Sequence, residues 1–215
     1  MTLAVSVVLD RVSTTLLDSS RRAWLLPELL DYLNATQRAI VQVKADAFTK
    51  LANHSLAAGV DQTLPADGLS VINVYRNVAS KKACKQVGLD IMNSGNPNWP
   101  ADTPKLDVRE WISDQRDPRR FMVSPPNTGA GVVALLYGAT PAVVTAASDN
   151  ISLPDSYDSA LWAGVLSMAY AKQSTTYDPQ KAGAYMQMML AFVTGKTATI
   201  KMNAPDLKQV EQAQS

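Results

Sequence analysis

The sequence predicts an α+β protein in which both chain ends form a helical bundle and the middle forms an inserted antiparallel β domain. Apolar residues recur at three- and four-residue spacing near both ends, which is typical of amphipathic helices. Between residues 47 and 137, Gly, Pro and Asn separate short runs rich in strand-forming residues. The predicted domains are therefore residues 1–46 with 151–195 for the bundle, 47–150 for a projecting β domain, and 196–215 for a polar C-terminal tail.

The composition is that of a globular protein with few charges. Of the 215 residues, 47% are hydrophobic and 18% are charged, which is enough to bury one or two cores. The formal net charge of +1 gives no global attraction to nucleic acid or to an anionic membrane. The single cysteine excludes an internal disulfide framework, and the single histidine leaves no metal-site spacing. We therefore expect neither a metal nor another cofactor.

The first helix is predicted within residues 1–17, with Thr2 as its N-cap. Its apolar stripe consists of Val5, Val8, Leu9, Val12 and Leu16. The segment has no basic n-region and no small-residue cleavage site, so we do not expect a secretion signal. No apolar run approaches the length that spans a bilayer, and we expect no membrane partner. Asp18-Ser19-Ser20 predicts a turn into the second helix, so that the two helices form an αα-hairpin.

The second helix is predicted over residues 24–46, and the rest of the chain is organised around it. Pro27 suits the first helical turn, and Glu28 complements the positive helix N-terminus. Gln37 falls in the middle of the apolar stripe, where a polar amide must find hydrogen-bond partners. Two interpretations are open: a solvated or core-satisfied glutamine, or a contact with another chain. If the amide is a connector, Gln37→Leu destabilises the protein or its assembly by about 1–3 kcal/mol.

Seven strands are predicted in the middle of the chain. They cover residues 48–56, 60–64, 69–75, 84–87, 108–113, 120–123 and 132–137. The first two flank Ala57-Ala58-Gly59 and are predicted to form a hairpin, and one helical turn is predicted over residues 89–93. Short strands with tight turns favour one antiparallel sheet, curled or folded into a small sandwich.

Helical spacing returns after Leu153. The third helix is predicted from Asp155, and Asp178-Pro179 predicts the N-cap and first residue of a fourth helix. Gly195 is predicted to end that helix as its C′ residue.

No set of residues has the pattern of a catalytic or metal site. His54 and Cys84 are the candidate nucleophilic pair, but no nucleophile motif surrounds either residue. The acidic stretch does not have the spacing of a calcium loop. Its members are Asp102, Asp107, Asp114 and Asp117. Gly129-Ala130-Gly131 precedes a strand rather than a helix, so it does not form a phosphate-binding loop. The residues alone therefore predict a soluble α+β protein that is not an enzyme.

Two small basic clusters are typical of solvated faces rather than of nucleic-acid sites, because no aromatic ladder interleaves them. They are Lys81, Lys82 and Lys85, and then Arg116, Arg119 and Arg120.

Five motifs between about residues 20 and 160 carry a family resemblance. The first is Trp24 with ELLDYLNATQRAI at residues 28–40. The others are LPADG at 64–68, NPNW at 96–99, DPRRFMVSPP at 117–126 and LPDSY at 153–157. In this order they resemble the second helix, the β-domain turns, the hairpin and the start of the third helix of the head-to-tail adaptor proteins of tailed bacteriophages. The tail after Gly195 has no counterpart in this resemblance.

The resemblance implies a structural role in the virion neck, between head and tail, after assembly in the host cytoplasm. Such adaptors form a ring, usually dodecameric, on the portal protein. The implied partners are portal, neighbouring adaptor subunits and a tail nozzle or tail-tube protein, with genomic DNA passing through the channel without sequence-specific binding. The family has no catalytic residues to transfer to this chain.

Two other classes of function stay open on the sequence. One is a tail-completion or tail-tube protein, and the other is an enzyme or carbohydrate-binding module that uses the aromatic loop around Trp99. For the adaptor interpretation, the candidate interface residues are Tyr32, Gln37, Arg38, Trp99, Arg116, Arg119 and Arg120.

Overall fold

A computed structural model of the chain describes residues 3–114, 116–173 and 177–203, with side chains as far as residue 195. Within these residues it contains five α-helices and seven β-strands, which confirms the mixed α and β class. The helices are α1 Val5–Thr15, α2 Leu26–Val43, α3 Leu89–Gly95, α4 Asp158–Ala171 and α5 Pro179–Asn203. The strands are β1 Thr49–Ser55, β2 Ala58–Thr63, β3 Gly68–Asn77, β4 Lys85–Gln86, β5 Glu110–Ser113, β6 Arg120–Thr128 and β7 Val132–Ala139.

The chain divides into two compact units. The helical unit consists of Met1–Lys44 together with the chain from Pro141 onward, and the β unit is Ala45–Thr140.

Helix α4 is the centre of the helical unit. It contacts α1, α2 and α5, and its apolar residues are buried on all sides, as expected for a helix enclosed by others. The helices approach closely at Gly164. A Cβ atom there would overlap Thr36 Cγ2 on α2 and lie 2.9 Å from Met189 Sδ on α5. The absence of a side chain at this position therefore lets α4 pack against α2 and α5 at once.

Helix α1 is capped by backbone carbonyls from residues 141–153, a segment we call the strap. Val5 N–H donates to Asp149 O at 3.0 Å, and Ser6 N–H donates to Ala147 O at 3.1 Å. The N-cap residue is Ala4, and no side chain caps the helix. Thr2 lies outside the described residues, and its prediction as the N-cap is wrong because distant carbonyls take that role.

The turn between α1 and α2 is organised by Asp18. Its carboxylate accepts hydrogen bonds from the backbone N–H groups of Arg22, Ala23 and Trp24, at 2.9, 2.9 and 3.0 Å. The polar turn is thus confirmed, and α2 begins with Pro27 and Glu28 in its first turn, as predicted. The predicted αα-hairpin is wrong as a packing unit, because the main contact of both helices is with α4.

Helix α5 starts as predicted and ends later. Lys181 N–H donates to Asp178 Oδ1 at 3.0 Å, which confirms Asp178 as the capping residue. Gly195 does not have the positive φ of a C′ residue, and the helix continues to Asn203, so the predicted end at Gly195 is wrong. The predicted polar tail therefore begins with helical residues, and residues 204–215 lie outside the described part.

The β unit contains two sheets, in the orders β1-β7-β3 and β2-β6-β5-β4. The named strands pair antiparallel except β4 with β5, which is parallel. Side chains from both sheets share one core, which supports the small sandwich among the predicted arrangements. Trp111 and Phe121 are the largest fully buried members of that core.

The predicted hairpin of residues 48–56 with 60–64 is wrong. β1 pairs with β7, whereas β2 pairs with β6 in the other sheet. The buried Gln62 side chain accepts from Ala57 N–H at 2.7 Å and donates to Ala57 O at 2.9 Å. Ala57, which lies between β1 and β2, therefore bonds to the Gln62 side chain instead of to a facing strand. Gly59, at φ +99°, then gives the chain its new direction.

The close packing at Gly164 generates a test of the helical unit. Gly164→Ala is expected to lower the free energy of unfolding by about 1–3 kcal/mol, because the added methyl group overlaps Thr36 and Met189. Gly183→Ala is the matched control on α5, since nothing lies within 4 Å of its added Cβ. The free energy of unfolding of that control should rise by about 1 kcal/mol, because alanine has a higher helix propensity than glycine. Urea denaturation of both variants gives the comparison. An equal gain in both would contradict the close approach of the helices.

Candidate functional site

Tyr32 and Glu28 lie one turn apart on α2 and form a polar cluster with Lys172. The Tyr32 hydroxyl donates to Glu28 Oε1 at 2.7 Å, and Lys172 Nζ donates to Glu28 Oε2 at 2.8 Å. Partial burial, together with the hydrogen bond to the Glu28 carboxylate, raises the pKa of Tyr32 to about 12. The phenol therefore stays protonated at neutral pH and serves as a donor.

Gln37 is buried in the helical unit, with only 1% of its surface exposed. Its Nε2 donates to Asn34 Oδ1 at a long 3.4 Å, and its Oε1 has no partner among the described residues. The structure thus places Gln37 in the core, where its amide is neither solvated nor fully hydrogen-bonded. Its side chain does not reach the surface of the described chain.

Asn34 is the polar residue of α2 that sequence reasoning missed. Its Nδ2 donates to Val144 O at 2.9 Å, and its Oδ1 accepts from Val144 N–H at 2.9 Å. These two bonds attach the strap to α2. Nothing in the apolar periodicity distinguishes this asparagine from a solvated one, because the partner lies 110 residues away.

Arg38 is exposed on the opposite side of α2, with Asp31 and Gln42, as the helical spacing predicts. It has no ion-pair partner among the described residues and is free to contact another molecule.

Trp99 does not provide an exposed aromatic surface. Only 3% of the residue is exposed, and its Nε1 donates to Asn93 Oδ1 at 3.0 Å. The prediction of Trp99 as an interface residue is corrected here, because a buried ring cannot stack on a sugar or a partner side chain. Its role is to anchor the loop between α3 and β5.

The bend between β5 and β6 presents two of the predicted arginines. Arg116 N–H donates to Asp114 Oδ1 at 2.9 Å, and Arg119 N–H donates to Asp117 Oδ1 at 3.1 Å. These contacts shape the backbone while both guanidinium groups are exposed and unpaired among the described side chains. Arg120 lies at the start of β6, with Nη2 3.7 Å from Asp61 Oδ1 in an exposed ion pair.

The family to which the sequence belongs gives these surface and packing features their functional context. A sequence model described as "SU10 adaptor protein" matches residues 3–206, which is nearly the whole chain. The chain belongs to the SU10 adaptor protein family. The head-to-tail adaptor resemblance is thereby confirmed, and the chain is a structural component of a phage virion. No curated protein matches the adaptor.

The chemistry of Cys84 in the adaptor is unlike that of a catalytic nucleophile. Burial, with the nearby Asp107 carboxylate, raises the pKa of the Cys84 thiol to about 11. Burial also lowers the pKa of His54, whose ring lies 6.2 Å from that of Phe121. A thiol with a raised pKa is not the activated thiolate that nucleophilic catalysis needs.

The described part of the adaptor has neither a cluster of metal-ligating side chains nor a helix suited to crossing a bilayer. Among those residues, no three His, Cys, Asp or Glu side chains are grouped as metal ligands would be. In the same ranges, no helix has the length and apolar character needed to cross a bilayer.

The hydrogen bonds around α2 reverse the stability change expected for Gln37→Leu in the free adaptor, from a loss to a gain. Asn34 Oδ1 keeps its bond from Val144 N–H when Gln37 is replaced, and an unpartnered buried carbonyl is removed. We expect Gln37→Leu to raise the free energy of unfolding by about 1 kcal/mol. Asn34→Leu strands both backbone groups of Val144 and should lower it by about 2–4 kcal/mol. Thermal melts of the two variants measure both effects. Destabilisation by Gln37→Leu would show that its carbonyl has a partner in solution.

Proposed function

We propose that this adaptor forms a ring on the portal protein, extends the DNA channel and provides the platform for a tail nozzle or tail tube. The observation that carries the proposal is the family match over residues 3–206. The proposed ring is dodecameric, lies in the virion neck and is assembled in the host cytoplasm. Neighbouring adaptor subunits, portal and the tail protein are the proposed partners.

We also propose that helices from both chain ends act as one bundle in the ring, with the β domain as a separate contact region. The proposed domains are residues 1–46 with 151–195, and 47–150. The contacts of α4 with α1, α2 and α5 support the first part of this proposal.

The charge of the chain is compatible with a DNA conduit. Phosphate affinity comes mainly from Lys and Arg contacts, and a near-neutral surface lets DNA slide without sticking. The chain has a formal net charge of +1. We therefore propose that DNA passes through the ring without sequence-specific binding.

The proposed function is tested by mixing purified adaptor with portal rings. We expect the free adaptor to be a monomer or a weak associate at micromolar concentration and to form a ring only on portal, since binding to a template can drive assembly. Size-exclusion chromatography with light scattering and electron micrographs of the mixture measure both states. A tail-tube protein would instead polymerise alone, and a stable closed ring without portal would contradict portal-dependent assembly.

The exposed arginines generate a second test. Replacing Arg116, Arg119 and Arg120 by Ser should change the melting temperature of the free adaptor little, because they are exposed and the Arg120–Asp61 pair is solvated. We expect ring formation or tail attachment to fall, since guanidinium groups suit polar interfaces through several hydrogen bonds.

The matched control for this triple variant removes the same charge elsewhere on the β unit. Arg76, Lys81 and Lys85 are exposed, and their replacement by Ser should leave tail attachment unchanged. If both triple variants attach tails equally well, the three arginines of the bend belong to a solvated face.

A further inference from the structure

A basic groove lies in the β unit between the turn after β3 and the segment that precedes β5. Its volume is about 610 Å³, and the charged groups that line it are Lys82, Lys105, Asp107 and Arg109. An adjoining cavity of about 180 Å³ continues past Leu106 and is lined by Val78, Ala130 and Val132. The groove therefore has a cationic half and an apolar half. Leu106, which lines both, is 50% exposed.

Two buried asparagines fix the backbone of one wall of this groove. Asn77 Nδ2 donates to Val108 O at 2.7 Å, and Asn77 Oδ1 accepts from Val108 N–H at 2.8 Å. Asn127 Nδ2 donates to Leu106 O at 2.9 Å and to Lys105 O at 3.1 Å. Both asparagines are at most 2% exposed. The wall is therefore formed before any ligand arrives, which lowers the entropic cost of binding.

The charges in the groove are not balanced within the described chain. Asp107 is already engaged, since its carboxylate accepts from Ser80 Oγ at 2.8 Å and from Lys82 Nζ at 3.1 Å. Lys105 and Arg109 are exposed, and no carboxylate among the described residues pairs with them. The groove thus has two cations available for anionic groups of a ligand.

We propose that the basic groove binds an acidic segment of another polypeptide, in which a carboxylate is followed closely by an apolar side chain. Lys105 and Arg109 receive the carboxylates, and the cavity beside Leu106, Val78 and Val132 receives the apolar side chain. A protein segment fits this surface better than DNA, because the apolar half of the groove offers nothing to a phosphate but can hold an apolar side chain. This inference goes beyond ring assembly, because it assigns the chemistry of a partner segment that no family feature specifies.

The test uses the full-length adaptor and a fluorescein-labelled peptide of alternating Asp and Leu residues. Lys105→Gln with Arg109→Gln should weaken peptide binding at least about tenfold, since two charge pairs are lost. Leu106→Ser should weaken it about threefold or more through loss of apolar contact. A peptide of alternating Asp and Ser should bind more weakly than the Asp-Leu peptide. Peptide-induced NMR shifts should be largest at the amides of Ser80, Leu106 and Arg109.

The matched control is Arg76→Gln with Lys85→Gln, which removes two exposed cations of the same unit that do not line the groove. It should bind the Asp-Leu peptide as the unsubstituted adaptor does. Melting temperatures check that every variant is folded. Equal loss of affinity in both double variants, or no binding by the Asp-Leu peptide, overturns the proposal. So does a short DNA duplex that binds more tightly than the peptide and depends on the same two residues.

Discussion

In each of the two units, a buried asparagine holds both backbone groups of one valine. Asn34 does this for Val144 in the helical unit, and Asn77 does it for Val108 in the β unit. Irregular backbone can be buried only when its N–H and C=O groups have partners. The asparagine side chain supplies one acceptor and one donor in the arrangement of a strand pair, without requiring a strand. Segments that are neither helix nor strand can therefore lie against the core.

The position of the strap, and with it the capping of α1, depends on this interaction between an asparagine and a valine backbone. Asn34 fixes Val144, and the carbonyls of Ala147 and Asp149 then reach the first N–H groups of α1. The Asp149 carboxylate accepts from the N–H groups of Thr145 and Ala146, and these bonds lower its pKa. The segment that follows the β unit thus caps the helix at the start of the chain. α4 begins only after this connection is complete.

Local rules predicted what depends on neighbouring residues. The spacing of apolar residues placed α2, the Asp178-Pro179 pair placed the start of α5, and Asp18 marked the turn before α2. The errors concern long-range partners. The α1 cap comes from residues far along the chain, and β1 and β2 pair with strands that follow by more than 50 residues in sequence. At Gly195 the helix continues, whereas the residue type alone favours an end.

The candidate interface residues were also predicted only in part, because exposure can follow from local sequence whereas burial depends on distant partners. Exposure of Arg38, Arg116, Arg119 and Arg120 follows from polar residues on a helix face and at a bend. Trp99 was misplaced because a loop rich in proline and asparagine does not indicate which way an aromatic ring turns, and Asn93 on α3 receives its N–H. The basic groove was not predicted, since its lysines are separated in sequence by residues that form strands and loops. The pairing of β4 with β5 and the hydrogen bonds of Asn77 and Asn127 bring them to one place.

Although the net charge is near zero, two places on the β unit, the groove and the bend, each carry a group of exposed cations. Arg109 immediately precedes β5, and the bend that carries Arg116 and Arg119 follows it. The four residues of β5, which span about 13 Å at the usual rise of a strand, lie between these two groups of cations. Each group includes carboxylates that engage a neighbouring lysine or the loop backbone, namely Asp107 in the groove and Asp114 and Asp117 in the bend. A surface built to hold DNA would leave such carboxylates out, because they oppose the release of counterions that drives phosphate binding. Mixed charge on preformed loops suits selective contacts with other protein chains.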